Sequence, residues 1–364
     1  MPLKKILIIL IILLIVALGI LAIYNFFIKE NLESNEESNN TTSEYLDSRI
    51  KLISQEPVIG PIIDNEKVRY YLASNGNVFE SNFDGSNKTQ LSSNNLSGLI
   101  KVLWSKNKDK VITIFEKNYL LEKYLYDYNT DSSTLLDYKM RWITWSPTQE
   151  KIAYQYYDSQ TDDNNISIAN SDGSEWDNIL STRMKNLIVE WPDKDKVILR
   201  TKPSGLAQSV IYAIDLSNNN LEKIIKETYG LTALWSPLGD KILISETNSQ
   251  GKNLKLKLAD LNEQIIKELT FTTLPEKCVW SQDNKTIFCA VPKNILVSAV
   301  LPDDYYKKEI SFSDEIWQIN LETEDIIKIK DNSDYDAKEL LLSPFEDYIL
   351  FINQKDNLLY SLEL

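Results

Sequence analysis

Trp145-Ser146-Pro147-Thr148-Gln149-Glu150-Lys151-Ile152-Ala153-Tyr154 reads as the end of one β-strand, a tight polar turn and the start of the next. Pro147 has no N–H to offer a ladder, so it ends the first strand. From Ile152 the composition is β-branched and aromatic, as in a half-buried strand. The arrangement recurs. Trp104-Ser105 precedes Lys110-Val111-Ile112, and Trp191-Pro192 precedes Lys196-Val197-Ile198. Trp235-Ser236-Pro237 precedes Lys241-Ile242-Leu243, and Trp280-Ser281 precedes Lys285-Thr286-Ile287. Leu342-Ser343-Pro344 precedes Tyr348-Ile349-Leu350.

The five tryptophans are spaced by 41, 46, 44 and 45 residues. A period of about 40–45 residues with about four strands per unit is the signature of a β-propeller blade. Within the Trp145 unit, Ile152 to Tyr157 makes strand b and Ile166 to Ala169 strand c. Asp172-Gly173 then turns into strand d over Trp176 to Leu180. Asp84-Gly85 gives the same turn one unit before Trp104.

These units resemble the TolB-type, WD-repeat-like propeller family, whose repeat reads roughly W-S-P-D-G-x-x-I-A-F, a strand, D-G and a last strand. Trp145-Ser146-Pro147 with Ile152-Ala153-Tyr154, and Trp235-Ser236-Pro237-Leu238-Gly239-Asp240, match it well. Trp191-Pro192 and Trp280-Ser281-Gln282 match in part, and Leu342 replaces the tryptophan. The resemblance covers residues 46–364 and implies an all-β propeller. It says little about function, because the family serves many roles.

Five units begin at the tryptophans and a sixth at Leu342. An earlier one starts at Pro61, with strands Val68 to Leu72 and Val78 to Phe83. The expected fold is therefore a seven-bladed β-propeller, with six blades as the alternative if the first unit is discarded. The last unit lacks a fourth strand, and an unpaired edge is a liability. Arg49-Ile50-Lys51-Leu52-Ile53 is expected to supply it and close the ring.

Ahead of the propeller, residues 1–5 read as a cytoplasmic stub and 6–28 as a single transmembrane helix. Residues 29–45 read as a flexible polar tether. The unbroken apolar run from Ile6 to Tyr24 spans about 29 Å at about 1.5 Å per residue, close to a bilayer core. A cleaved signal peptide is the alternative, but its apolar stretch should be shorter. Lys4 and Lys5 place the propeller outside the cytoplasm by the positive-inside rule. The tether's r.m.s. reach is roughly 20–25 Å. The expected location is the cell membrane, single-pass, with the C-terminal domain extracytoplasmic.

The net charge of −14 argues against nucleic acid as a partner. The chain has no histidine, which removes the commonest general base and the Ser-His-Asp and Cys-His systems. No G-x-S-x-G or phosphate-cradling glycine loop occurs. Propellers also precede the hydrolase domain of prolyl-oligopeptidase-type peptidases, but this chain ends with the propeller. The expectation is therefore a non-enzyme without cofactor or metal. It would be an interaction module binding a protein or glycan at the cell envelope. The alternative is an enzyme acting on envelope polymers through paired carboxylates.

Candidate binding residues follow from one irregular spacing. Trp280 to Leu342 is 62 residues, and the excess falls between strands b and c. Long insertions in compact repeats are uncommon and often functional. This one, residues 292–313, carries Asp303, Asp304, Tyr305, Tyr306 and Lys307. As a b–c loop it should share one face with the acidic loop of Asp158, Asp162, Asp163, Asn164 and Asn165. The d–a loop of Asp331, Asp334 and Asp336 should lie there too. Exposed Tyr305 and Tyr306 would bind a partner, the acidic rim would steer a basic one, and the insertion should be removable without loss of fold. That face should look away from the membrane. The Asp158 loop departs from EF-hand order and is not read as a metal site. Cys278 and Cys289 flank the turn of the Trp280 unit equally and read as a disulfide or as two buried thiols. Tyr124, Tyr126 and Tyr128 alternate on one strand face, where they would pack between blades or stack on sugar rings.

Overall fold

The computed structural model describes residues 49–93, 96–261, 265–330 and 334–364. The stub, the transmembrane segment 6–28, the tether 29–45 and Asp331 lie outside the described residues. Among the described residues no helix is long and apolar enough to cross a membrane.

The described strands form seven four-stranded antiparallel sheets, the seven blades of a propeller. Their first strands are Val58–Asp64, Leu99–Trp104, Met140–Trp145, Ile188–Asp193, Ala233–Trp235, Cys278–Trp280 and Ala337–Leu342, for blades 1 to 7. First strands of most neighbouring blades touch, so they ring a central channel. Blade 7 is completed by Ile50–Leu52, which lies beside Leu359–Glu363. Just past that strand, the Ile53 N–H donates to the Leu359 carbonyl at 2.9 Å. The degenerate first unit is a full blade, and the ring closes through the N-terminal strand.

The repeat signature has a physical role. Ser105, Ser146, Ser236 and Ser281, each following a repeat tryptophan, are buried and organise their turns. Lys110 N–H donates to Ser105 Oγ and Lys241 N–H to Ser236 Oγ, each at 3.1 Å. Trp104, Trp145 and Trp235 each hydrogen-bond to the preceding blade. Trp104 Nε1 donates to the Gly60 carbonyl at 2.8 Å and Trp145 Nε1 to the Leu103 carbonyl at 2.9 Å. In blade 3, strand d is Asp177–Ser181, one residue later than expected, and Trp176 is left exposed.

Core clusters lie between blades rather than within them. Ile112 and Leu125 of blade 2 pack with Ile143, Trp145 and Ile152 of blade 3. Ile53, Leu350 and Leu359 of blade 7 pack with Val58, Val68 and Tyr70 of blade 1. Several first strands carry a bulge, including those of blades 1, 4 and 7. Bulges sharpen the twist and re-aim side chains. At the blade 1 bulge, Gly60 has φ +57°, and a Cβ there would lie 2.6 Å from Val102 Cβ. Only glycine fits so close an approach.

Candidate functional site at the mouth of the central channel

The insertion lies between strands Thr286–Pro292 and Asp314–Asn320 of blade 6, and contains the short helix Asp303–Tyr306. It is not a free loop. Asp303 accepts from Ser204 Oγ at 3.0 Å and from the Gly205 N–H at 2.6 Å, both in blade 4. The Leu301 N–H donates to the Gly251 carbonyl of blade 5 at 2.9 Å. Asp304 accepts locally from the Val300 N–H at 2.7 Å. Beneath these bonds Leu274, Ala299, Leu301, Tyr305 and Phe312 form a buried cluster. Apolar residues throughout the insertion were the signal of this core.

Tyr305 was expected at the surface and is only 3% exposed. Its ring stacks on Phe312 at 5.0 Å, and its hydroxyl donates to Asp336 Oδ1 at 3.1 Å. Burial pushes its phenol well above the ordinary range, with Asp336 and Asp314 adding to the effect. Packing outweighs exposure here because an aromatic ring over an apolar floor gains more from burial than from water. Tyr306 is 47% exposed and Lys307 is exposed beside Glu309.

Sequence reasoning missed the anchor below. Lys277 Nζ lies 2.6 Å from Asp336 Oδ1 and 2.9 Å from Asp314 Oδ2, and all three side chains are fully buried. It also donates to the Ala337 carbonyl at 2.8 Å, and Asp336 Oδ2 accepts from the Phe312 N–H at 2.8 Å. Burial raises the Asp314 pKa above its ordinary value, against the opposing pull of Lys277. No local pattern marks Lys277, because its carboxylates come 37 and 59 residues later.

Tyr306 lies close to Glu276 of blade 6 and Arg200 of blade 4. Its hydroxyl is walled in, so burial raises its pKa far above the ordinary value, and the Glu276 charge raises it further. Glu276 Oε2 accepts from Thr232 Oγ1 at 2.9 Å. Nearby, Arg200 donates to Glu190 Oε1 at 2.9 Å, and Trp235 Nε1 donates to Glu190 Oε2 at 3.2 Å. Burial works against the Arg200 charge, yet Glu190 holds its pKa above the usual value. Lys101 of blade 2 also feels the Glu190 charge. The enclosing protein lowers its pKa, while Glu339 of blade 7 and Glu190 of blade 4 pull it up. Those blades stand two places away on either side, so the side chains converge on the common axis. The mouth thus offers both signs of charge, a phenol and an indole.

The other candidates lie apart from this cluster. Asp158 pairs with Lys139 at 2.7 Å, which holds its carboxyl below the usual range. Asp162 pairs with Lys185 at 3.1 Å, and Asp163 accepts from Thr161 Oγ1 at 2.7 Å. Asp158 and Asp162 of the expected acidic rim are therefore each paired with a lysine, and Asp336 is buried rather than on the rim. Cys278 and Cys289 are directly opposite in the blade 6 ladder and joined by a disulfide, S–S 2.10 Å.

No family model matches the chain, and no curated protein is similar to it in sequence. Solved structures do resemble it. Oligogalacturonate lyase from Vibrio parahaemolyticus superposes with a TM-score of 0.58 at 12% identity, over 86% of this chain and 89% of that one. The β-propeller domain of the Trilobed protease from Pyrococcus furiosus gives 0.54 at 13% identity, over 84% and 95%. TolB from Acinetobacter baumannii gives 0.48 at 13% identity, over 82% of this chain and 64% of that one. The Pyrococcus propeller has an open velcro topology, whereas the ring here is closed by its N-terminal strand. At these identities the likeness shows the β-propeller fold alone. It also corrects one expectation. Propellers of this fold include enzymes, oligogalacturonate lyase among them, so the expectation of a non-enzyme is withdrawn.

Proposed function

We propose that this chain is a membrane-tethered, extracytoplasmic propeller that binds a charged segment of an envelope protein at the mouth of its central channel. The observation that carries the reading is the insertion's placement. Bonds to blades 4 and 5 and the buried Lys277 anchor to blade 7 fix it, so Tyr306 stands beside Glu276 and Arg200. A site held by packing and ion pairs is preorganised, and a partner binding there loses little further entropy. Fixed charges of both signs favour a partner segment carrying both. The apolar run 6–28 and the polar stretch 29–45 support the tethered location.

The test is a photocrosslinking amino acid at position 306, compared with the same group at Lys285 on an a–b turn, in intact cells. The reading expects one envelope protein captured at 306 and not at 285, with capture lost in Arg200→Ala. Equal capture at both positions overturns it. Membrane fractionation and protease access from outside the cell test the location.

One observation favours a second reading. Glu190 and Glu276 flank Arg200 at the mouth, and paired carboxylates run polymer-cleaving chemistry without histidine. Oligogalacturonate is the first substrate to offer, since a lyase of this fold acts on it. Products that vanish in Glu276→Gln would establish this reading, and an inert substrate would count against it.

A further inference from the structure

Between blades 1 and 2 lies a cleft of about 550 Å³ that the channel reading does not use. Its size falls within the roughly 300–1,000 Å³ of small-ligand pockets. Five aromatic rings line it: Tyr71, Phe115, Tyr124, Tyr126 and Tyr128. The last three come from alternate positions along and just past strand Leu120–Asp127. Alternate residues on one strand face lie about 6.8 Å apart along the backbone at about 3.4 Å per residue, so the three rings share one side of the strand.

Tyr124, Tyr126 and Tyr128 are half buried, Tyr71 and Phe115 lie buried behind them, and the rings are held in place. Tyr128 stacks on Trp104 at 6.0 Å, and the Tyr128 and Tyr71 hydroxyls are 2.9 Å apart. Tyr126 stands at 87° to Tyr128 with centroids 4.8 Å apart, making a floor and a wall. The Tyr124 hydroxyl donates to Glu122 Oε2 at 3.1 Å, and the Tyr126 hydroxyl donates to Asp131. Fixed tyrosines give apolar faces at low entropic cost. Ser92, Ser97 and Ser133 supply hydroxyls around the same space. The cation at the rim, Lys117, is paired with Glu122 at 3.0 Å.

Aromatic faces beside hydroxyls and carboxylate acceptors match a pyranose, which has apolar C–H faces and a rim of hydroxyl donors. With Lys117 already paired, nothing in the lining selects an acidic sugar. We propose that this cleft binds a neutral oligosaccharide. The inference is independent of the channel site, so either can fail alone.

The experiment uses the full chain in detergent micelles with chitotriose, cellotriose and maltotriose. Binding is followed by saturation-transfer NMR and titration calorimetry. At least one sugar should bind saturably. Tyr126→Ala should weaken binding about tenfold, the equivalent of one lost stacking contact, while Tyr126→Phe should retain most of it. Ser133→Phe, at an exposed position on the outer strand, should narrow the cleft and block binding even if Tyr126→Ala proves unstable. No saturable binding of any of the three sugars overturns the proposal. So does binding unchanged in a folded Tyr126→Ala or Ser133→Phe protein.

Discussion

Lys277 and Asp336 form a fully buried ion pair, Nζ to Oδ1 2.6 Å, that ties blade 6 and its insertion to the start of blade 7. Lys277 makes three short contacts, to Asp336, Asp314 and the Ala337 carbonyl, one for each ammonium proton. Removing one partner of such a cluster leaves buried charge behind. Lys277→Met should therefore cost about 3–5 kcal/mol in urea unfolding. Tyr305→Phe, which removes one neutral donor, should cost only about 1 kcal/mol. Equal losses would mean that packing, not charge, holds the insertion.

The same cluster should respond to pH through Asp314. Folding raises its pKa, so above the ordinary value of 3.8 the folded chain keeps a proton that the unfolded chain has released. Its stabilising contribution is full below 3.8 and is lost as pH climbs through the raised value. Asp314→Asn removes that dependence. Relative to the natural chain, the variant should gain stability as pH rises above 3.8, as read by urea midpoints across pH. A constant difference at every pH would refute the assignment.

Replacing residues 293–312 by a short glycine-serine turn should now be damaging, contrary to the expectation from the blade period. It deletes Ala299, Leu301, Tyr305 and Phe312 from a buried cluster and uncovers Leu274. Leu301→Ala alone should cost about 2–5 kcal/mol. Thermal unfolding would show the replacement melting earlier than the point variant. Unchanged melting of both would put the cluster's contribution near zero.

At the channel, Arg200→Met strands Glu190 in the wall. The loss should be about 1–3 kcal/mol, below that of a fully buried pair because Glu190 keeps contact with water. Adding Glu190→Gln should restore part of it. A double-mutant cycle without coupling would show that the contact contributes nothing measurable.

The Cys278–Cys289 bridge closes a short loop, sequence separation 11. Replacing both cysteines by alanine should destabilise by roughly 2–3 kcal/mol on the loop-entropy scale. Intact-mass analysis should show no alkylation of the unfolded protein until reductant is added. Two labels without reductant would mean free thiols.

The blade period, the seventh blade and its closing strand were legible in the sequence. Each rests on local signals repeated along the chain: a tryptophan, a serine that binds its own turn, a proline that ends a strand. The strand Ile50–Leu52 could be placed beside Leu359–Glu363 because an incomplete blade must find an edge partner. Even the facing of Cys278 and Cys289 followed from equal distances to one turn.

What the period could not fix is whatever joins one blade to another. Tyr305 is buried because Phe312 and the Lys277 cluster lie beneath it, and only the tertiary structure brings residues 277, 305, 314 and 336 together. Tyr306, Glu276, Arg200 and Glu190 meet for the same reason, since ring closure aims strands from different blades at one axis. Asp158 and Asp162 read as an acidic patch because their partners, Lys139 and Lys185, stand about 20 residues away along the chain, where strand pairing alone returns them. Sequence fixes interactions that recur with the repeat. Electrostatic partners and burial belong to contacts between units, and those depend on how the ring closes.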